Sequence, residues 1–527
     1  MGVIMDRVIK NKWDDFKKNL INSKKYWFFY SIIVFLASMS IVNINNFFYP
    51  KLEILVFLLV LFVGIVCISY YFSHRDDKEL YKTAFIVILI FGILFSVFTP
   101  ICCNPDEVEH FVRAEITSNG VLIPEYDRTP YIYENKYNES GSYLTIQSVL
   151  DLIEEGKSTR GGGYDAMDFV NSSILNTNAD TEPINHTVVK YHSAFAQNPF
   201  FGYLFSALGI FLAKLLDLNA IWMLWLGRIF NALLYASLIA LAIKKTPILK
   251  MPLFVFSNIP FVLRLAGSVS IDPVINGLAI LAIAYFLYLY KSPKKELTSK
   301  HIIKFSLIIL LLGLCKVTYF VFIFLILFIP KSNFKDKKCF LYGLISIVVL
   351  LIVFVLWSKF YVDPGVFASC RSVHYDNSAN AIEQLKFILS HKKDTLIELC
   401  HIFANINNDL SFTDSFNSLF LMYLGGICLL YPKPKIELKP RIGALLVLLM
   451  LYFGTYIVFM LSWTPVGQLT PIGVQPRYFF PAFALIPFIF GINNDTIINK
   501  DTIDIYTMVI SISFVAMLLM SIILTAY

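Results

Sequence analysis

The chain has 527 residues, of which 57% are hydrophobic, 16% aromatic and only 15% charged, with a formal net charge of +7. Soluble chains carry about 25% charged residues, so this composition excludes an ordinary soluble globular protein and points to a polytopic membrane protein. The positive balance does not require nucleic acid as a partner. The lysines and arginines sit mostly in short loops between apolar runs, which is a membrane-topology signal.

The chain starts with a polar, basic stretch, 1–26, which lacks the short charged region and small-residue cleavage site of a removed signal peptide. Behind it, many apolar runs approach or exceed the roughly 18–20 residues that cross a bilayer. They predict spans near 27–43, 52–73, 84–99, 219–243, 251–264, 273–290, 302–314, 317–329, 339–357, 415–431, 442–462, 477–492 and 503–525. The expected fold is therefore all-α, with about thirteen transmembrane helices. The run 200–216, "FFGYLFSALGIFLAKLL", reads either as another span or as a helix lying at the interface. If it lies at the interface, 27 of the 44 Lys+Arg fall in loops on one side: 1–26, 74–83, 244–250, 291–304, 331–338, 432–441 and 493–501. Positive loops stay cytoplasmic. The amino terminus is then inside, and the large loops 100–198 and 358–414 are outside. Residues 1–492, with both loops, make the expected transmembrane domain, and 493–527 a C-terminal loop and the last helix.

The loop 100–198 is too long for a plain connection and holds 15 acidic residues against 6 Lys+Arg. "TPYIYENKY" reads as a short strand, "GSYLTIQSVLDLIEEG" as helix and "STRGGGYD" as a glycine turn. In 358–414, "SANAIEQLKFILSHKKDTLIELCHIF" predicts amphipathic helices near the membrane surface. The region "IIKFSLIILLLGLCKVTYFVFIFLILFIP" (302–330) carries Lys316 at its middle. One long span would bury that charge at high cost, whereas two short antiparallel helices put Lys316 at their outer junction. Cysteines form no CxxC pair. Cys102, Cys103, Cys370 and Cys400 fall in the outer loops, where disulfides can form.

Charges gather where spans meet the outer loops. The stretch "CCNPDEVEHFVRAE" (102–115) supports two readings. In the structural one, Asn104 caps a helix, Pro105 takes its first position and Glu107 closes a capping box. In the chemical one, Asp106, His110 and Arg113 share one helix face at i, i+4 and i+7. Asp106 then acts as a general base at the water–lipid boundary, with Glu107 beside it. Five more regions point to the same level: Lys316; Gln475, Arg477 and Tyr478 in "TPIGVQPRYFFPAFALIPF"; Arg264 at a span end; Ser268, Ser270, Asp272 and Asn276 in "SVSIDPVING"; and Arg228 inside a span. Arg264 and Arg477 also read as snorkelling residues, Arg228 as half of a structural ion pair and Asp272 as a helix-start charge.

The residues then form a family pattern. "NPDEVEHFVRAEITSNG" resembles the P-D-E-x-x-H-x-x-R-A … G motif of a bacterial membrane family catalogued as domain of unknown function 2142. "NPFFGYLFSALGIFLAKLLDLNAIWMLWLGRIFNALLY" is similar to its second block, with Pro199, Tyr203, Gly227, Arg228 and Asn231 in place. "SVSIDPVINGLAI", "GLCKVTYF" and "GVQPRYFFPAFALIPF" look like its later blocks, except that Pro476 stands where a glycine is expected before Arg477. That family in turn resembles the GT-C class of integral-membrane glycosyltransferases, although here two spans precede the one that leads into the motif loop.

The resemblance implies a polyprenyl-phosphate-linked sugar as donor, inversion at the anomeric centre, and a cell-envelope glycan or lipid-linked acceptor. It implies Asp106 as base, Glu107 as neighbouring or alternative acid, and Lys316 and Arg477 as phosphate ligands. His110, Arg113, Arg228, Arg264, Asp272, Gln475 and Tyr478 complete the expected substrate site. The expected place is the bacterial cytoplasmic membrane, with the site facing outward. Asp106 and Glu107 offer oxygens suited to Mg²⁺ or Mn²⁺, though two adjacent carboxylates fall short of a metal site. Two rival readings keep a lipid-linked sugar: a flippase or transporter, and an envelope polysaccharide polymerase or ligase. The one-sided charge cluster disfavours a transport path, which needs polar residues at mid-depth.

Overall fold

The computed structural model describes residues 13–42, 50–133, 136–138, 141–159, 177–361, 380–404, 415–491 and 500–526. Three long apolar helices come first, α1 (Lys24–Val42), α2 (Pro50–Ser73) and α3 (Leu80–Phe98). A tight turn leads into α4 (Glu107–Ser118), the first helix of the long loop. Strands β1 (Tyr131–Tyr133) and β2 (Lys136–Asn138) form an antiparallel hairpin. Strand β3 (Tyr143–Ile146) pairs antiparallel with β4 (Val188–Tyr191), and α5 (Gln147–Thr159) follows β3. The expected helix over 141–156 is thus strand in its first part. Tyr143, Thr145 and Ile146 find the matching run Val188–Tyr191 across the sheet, and strand pairing overrides local propensity. The glycines of 158–165 and Cys370 lie outside the described residues.

After the loop come α6 (Leu204–Leu215), α7 (Ile221–Lys245), α8 (Lys250–Ser257), α9 (Pro260–Ala266), α10 (Asp272–Lys291) and α11 (Ser299–Cys315). A 3-10 helix over Val317–Phe328 precedes α12 (Lys337–Phe360), and α13 (Ala381–Ser390) and α14 (Lys392–Ala404) form a helical pair in the second loop. The chain finishes with α15 (Ser415–Leu430), α16 (Leu438–Ser462), 3-10 turns at Pro476–Tyr478 and Phe480–Leu485, α17 (Ile486–Phe490) and α18 (Lys500–Ala526). Among the described residues, eight helices are long and apolar enough to cross a membrane. The chain is an all-α polytopic membrane protein.

The shortfall from thirteen long spans has local causes. The run 251–264 is two helices because Pro260 starts α9 and forces Ile259 into extended backbone at ψ 126°. The run 477–492 is broken by Pro476, Pro481 and Pro487, each lacking an N–H for the helix ladder. Helix α6 has 12 residues, about 18 Å, short of the roughly 30 Å hydrocarbon core, so the interfacial reading of 200–216 is the one its length permits. It lies flush on α7, where a Cβ on Gly209 would stand 2.3 Å from the Leu226 carbonyl oxygen.

The region 299–328 is the antiparallel pair read from the sequence, with one difference. The second arm, Val317–Phe328, is a 3-10 helix. Residues 295–297 hydrogen-bond to 332–335, so the chain enters and leaves at the same end. Seventeen residues of α helix rise about 25 Å, and twelve of 3-10 helix about 24 Å, so the tighter winding lets the shorter arm match the longer one. Lys316, extended at φ −146° and ψ 102°, is the tip between them.

Helix α10 is the centre of the bundle, 94% buried over its apolar window, whereas α12 is 17% buried and peripheral. The last helix, α18, packs against α1, α2, α3 and α8, so it shares the core of the first helices. Basic residues meet at one end: Lys500 pairs with Asp77 at 2.6 Å, Lys250 donates to the Asp77 carbonyl at 2.8 Å, and Lys245 stands 3.4 Å over the Tyr288 ring. The described parts of the 100–198 loop, the start of α10 and the hairpin tip occupy the other.

Candidate functional site

The turn after α3 sets the site. Cys102 and Asp106 both adopt left-handed backbone, at φ 53° and 56°, a conformation that costs a non-glycine residue about 1–2 kcal/mol and that Asp tolerates best after Asn. The helix therefore starts at Glu107 with Asp106 as its N-cap residue, not Asn104, and the Asp106 side chain makes no cap bond. Half of the expected capping box survives, since Glu107 Oε2 accepts from the Asn104 backbone N–H at 3.3 Å and from Asn104 Nδ2 at 3.1 Å. Freed from its own helix, the Asp106 carboxylate turns across the bundle.

The two adjacent acids point apart. Glu107 is fully buried and paired with Arg228, whose Nε and Nη2 donate at 2.8 and 2.7 Å. The Val269 N–H adds a bond at 2.9 Å. Arg228, also fully buried, spends its remaining donors on the carbonyls of Ser96, Thr99 and Pro100, at 3.1, 2.6 and 2.9 Å. Those of Ser96 and Thr99 belong to the end of α3, where helix geometry leaves carbonyls without partners, whereas that of Pro100, just beyond, also accepts from the Cys103 N–H at 3.3 Å. Every Arg228 donor is committed, so this pair locks α3, α4, α7 and the 267–271 turn together and leaves nothing for a substrate. The expected catalytic or metal role of Glu107 and the expected substrate role of Arg228 both yield to this lock. The residues do not fit a metal shared by Asp106 and Glu107, because both Glu107 oxygens are taken. Among the described residues, no group of three or more His, Cys, Asp or Glu could hold a metal ion.

Three more expected site residues are also engaged within the protein, Arg264 and Arg113 on backbone and His110 on side chains. Arg264 donates to Asn104 Oδ1 at 3.1 Å and to the Cys103 carbonyl at 2.7 Å, bracing the turn. Arg113 reaches the carbonyls of Asn198 and Leu122 at 3.0 and 2.8 Å and Thr117 Oγ1 at 3.0 Å. His110 Nδ1 meets the Tyr203 hydroxyl at 2.6 Å, and its ring stacks on Phe195 at 4.6 Å. Burial pushes His110 down to about 4, so its imidazole is neutral near pH 7.

The remaining residues converge. Arg477, on the turn opened by Pro476, pairs with Asp106 through Nη2 and stands 3.4 Å from Asp272 Oδ2 through Nη1. Its Nη1 also donates to the Pro105 carbonyl at 3.2 Å. Pro476 occupies the first position of the turn, where its missing N–H is no loss, and it does not divert Arg477. Burial pushes the Asp106 carboxyl up, but the basic groups around it, Arg477 first, together outweigh burial and hold Asp106 below the ordinary range. Asp272 begins α10, whose first turn is fixed by Ser270 Oγ accepting from the Asp272 N–H at 3.3 Å and by Asn231 donating to the Ser268 and Ser270 carbonyls. Lys316 Nζ sits 3.3 Å over the Tyr478 ring, which stacks on Phe459. Gln475 is half-buried and its carbonyl accepts the Tyr478 N–H at 3.1 Å.

Arg477 Nε is buried and has no acceptor among the described residues. Lys316 has none there either; its partners are the rings of Tyr478 and Phe459. The Arg477 carbon centre lies 5.5 Å from the same Tyr478 ring centroid. The two cations are thus no more than about 9 Å apart (5.5 Å and 3.3 Å laid end to end), a span that one oxyanion group with a charge-assisted bond on each side comes close to bridging. Two supporting residues escaped the sequence reading. Tyr319 donates to the Tyr478 carbonyl at 2.9 Å, fixing the ring under Lys316; its place three residues after Lys316, one turn of a 3-10 helix, was the available signal. Phe459 carried none.

No curated protein and no solved structure matches the chain. A family model described as "Predicted membrane protein (DUF2142)" matches residues 89–486, a range that holds the motif turn, the Glu107–Arg228 lock, the hairpin tip and Arg477. The chain belongs to this family of predicted membrane proteins.

Proposed function

We propose that this chain is a GT-C-like glycosyltransferase of the bacterial cytoplasmic membrane. It moves a sugar from a polyprenyl-phosphate donor to a glycan or lipid-linked acceptor at the outer face, inverting the anomeric centre. In this reading the basic end is cytoplasmic, and membrane lipids flank a donor that enters sideways. One observation carries the reading: the half-buried Asp106 carboxylate shares a site with two cationic groups, Arg477 Nε and Lys316 Nζ, that have no acceptor among the described residues. Such donors suit an anion, and the neighbouring carboxylate suits a hydroxyl.

The chemistry is a single displacement. The acceptor oxygen attacks the anomeric carbon and its proton passes to Asp106. The bond from that carbon to the phosphate oxygen breaks, and the electron pair leaves with the polyprenyl phosphate. Lys316 and Arg477 stabilise the charge that grows on the leaving group, and such fixed charges contribute most in a water-poor site. Attack from the face opposite the leaving group inverts the carbon.

The test uses proteoliposomes and a polyprenyl-phosphate donor with a labelled sugar. Wild type should release or transfer the label. Asp106→Asn should fold and insert yet lose at least about 100-fold in rate, the usual scale of a general base. Transfer by Asp106→Asn at the wild-type rate would remove Asp106 as base, and a donor left intact by wild type would remove the transferase reading.

A further inference from the structure

Arg477 stands between two carboxylates. Its Nη2 is bound to Asp106 and its Nη1 is 3.4 Å from Asp272 Oδ2. That Asp272 oxygen is buried and has no hydrogen bond among the described residues. Nε, the third donor position of the same guanidinium, is buried with no acceptor among the described residues. The Arg477 side chain is only 4% exposed, whereas that of Asp106 is 27% exposed. The cation therefore lies inside the site, and the acid reaches its mouth.

A carboxylate engaged by a guanidinium is a poor base, because the paired oxygen is committed and the neighbouring charge repels a proton. We propose that Arg477 masks Asp106 in the unloaded site, and that a phosphate bound between Lys316 and Arg477 Nε draws the guanidinium away, with Asp272 retaining it, so that the base is released only when the donor is in place. This rests on the transferase reading above. Charge balance favours the exchange. The described acidic and basic groups that face the site are Asp106 and Asp272 against Arg477 and Lys316, the last pulled by burial down to about 7 and so readily charged by an incoming anion, while Glu107 is cancelled by Arg228. His110, neutral and bound to Tyr203, cannot take over the masking. An incoming phosphate adds negative charge beside the two cations, and one carboxylate must lose part of its hold. Asp272 keeps its place because Ser270 and the start of α10 fix it, so Asp106, on the strained turn, is the one released.

Infrared difference spectroscopy of the full chain in liposomes tests this, with a polyprenyl monophosphate as probe, since it carries no sugar to transfer. The Asp106 carboxylate band is assigned by its absence in Asp106→Asn. Adding the probe should shift that band from a paired to an unpaired position and raise its titration midpoint by at least one pH unit, a tenfold gain in proton affinity. Arg477→Gln, or Arg477→Lys if the first variant does not fold, should show a raised midpoint without the probe. In Asp272→Asn the probe-induced shift should shrink. A probe that binds, seen as thermal stabilisation, but leaves the Asp106 band in place overturns the masking. If labelled donor still transfers its sugar in that case, the transferase reading survives without it. A probe that does not bind overturns the masking, and only an unconsumed donor overturns the transferase reading.

Discussion

Replacing Glu107 by glutamine keeps the side-chain shape and removes its charge. Glu107 takes two bonds from Arg228, one from the Val269 N–H and two from Asn104. Glutamine keeps one acceptor oxygen and turns the other into a donor, which then faces either Arg228 Nε with Val269 or Arg228 Nη2 with Asn104. Arg228 cannot shed its proton and has no exposed surface. Breaking a buried pair this way costs about 3–5 kcal/mol. Asp106→Asn, by contrast, touches a half-buried acid whose partner keeps Asp272, and should cost less, about 1.5–3 kcal/mol for the charged hydrogen bond it weakens. Urea unfolding in mild detergent, followed by near-UV circular dichroism, gives both numbers. The double variant Glu107→Gln with Arg228→Gln should cost less than the sum of its singles, because each single leaves a lone buried charge and the double leaves none. If Glu107→Gln unfolds at the wild-type midpoint, or the double is additive, Glu107 is not the lock described above.

Three further outcomes follow from the same geometry. His110 has its folded value pulled by burial to about 4, against about 6.5 in an unfolded chain. Its contribution is full above pH 6.5 and drains away as pH falls toward 4, by about 3 kcal/mol in all; His110→Gln should flatten the stability–pH curve over that window, and unchanged slopes would refute the assignment. Gly209→Ala puts a methyl against the Leu226 carbonyl and the Gly227 nitrogen of α7, neither of which can swing aside, so thermal unfolding should report a loss of about 1–3 kcal/mol; an equally stable variant would show that α6 is not seated there. Gln384 is fully buried, donates to the Gln468 carbonyl and accepts from the Gly467 N–H at 3.0 Å. Gln384→Ala leaves two peptide groups without that partner, at about 1–3 kcal/mol each, and trypsin should cut at Lys386, Lys392 or Lys393 at least tenfold faster; an unchanged rate would refute the clamp.

Much of the fold was legible because bilayer thickness is a local constraint. A helix of fixed rise must supply a run of fixed length, so the apolar runs marked α1, α2, α3, α7, α10, α12, α16 and α18 directly. Prolines marked the breaks just as locally, at Pro260 and at Pro476, Pro481 and Pro487. Lys316 was legible as a hairpin tip because a buried lysine in a single span is too costly. The 3-10 winding of Val317–Phe328 was not, since it answers the length of the opposite arm rather than its own side chains. The strand at Tyr143–Ile146 was missed for a similar reason, its partner lying beyond α5.

The site divides along the same line. From the sequence alone came the apolar frame, the charges at the ends of its helices, and the nomination of Asp106, Lys316 and Arg477. Tertiary structure decided what each charge meets. Asp106 and Glu107 are neighbours with the same chemistry, yet one faces Arg477, 371 residues away, and the other Arg228, 121 residues away. The left-handed backbone at Asp106 and the unsatisfied carbonyls at the end of α3 made that choice. A helical period shows which residues share a face. It does not show which distant cation that face will meet, because that depends on how the helices pack.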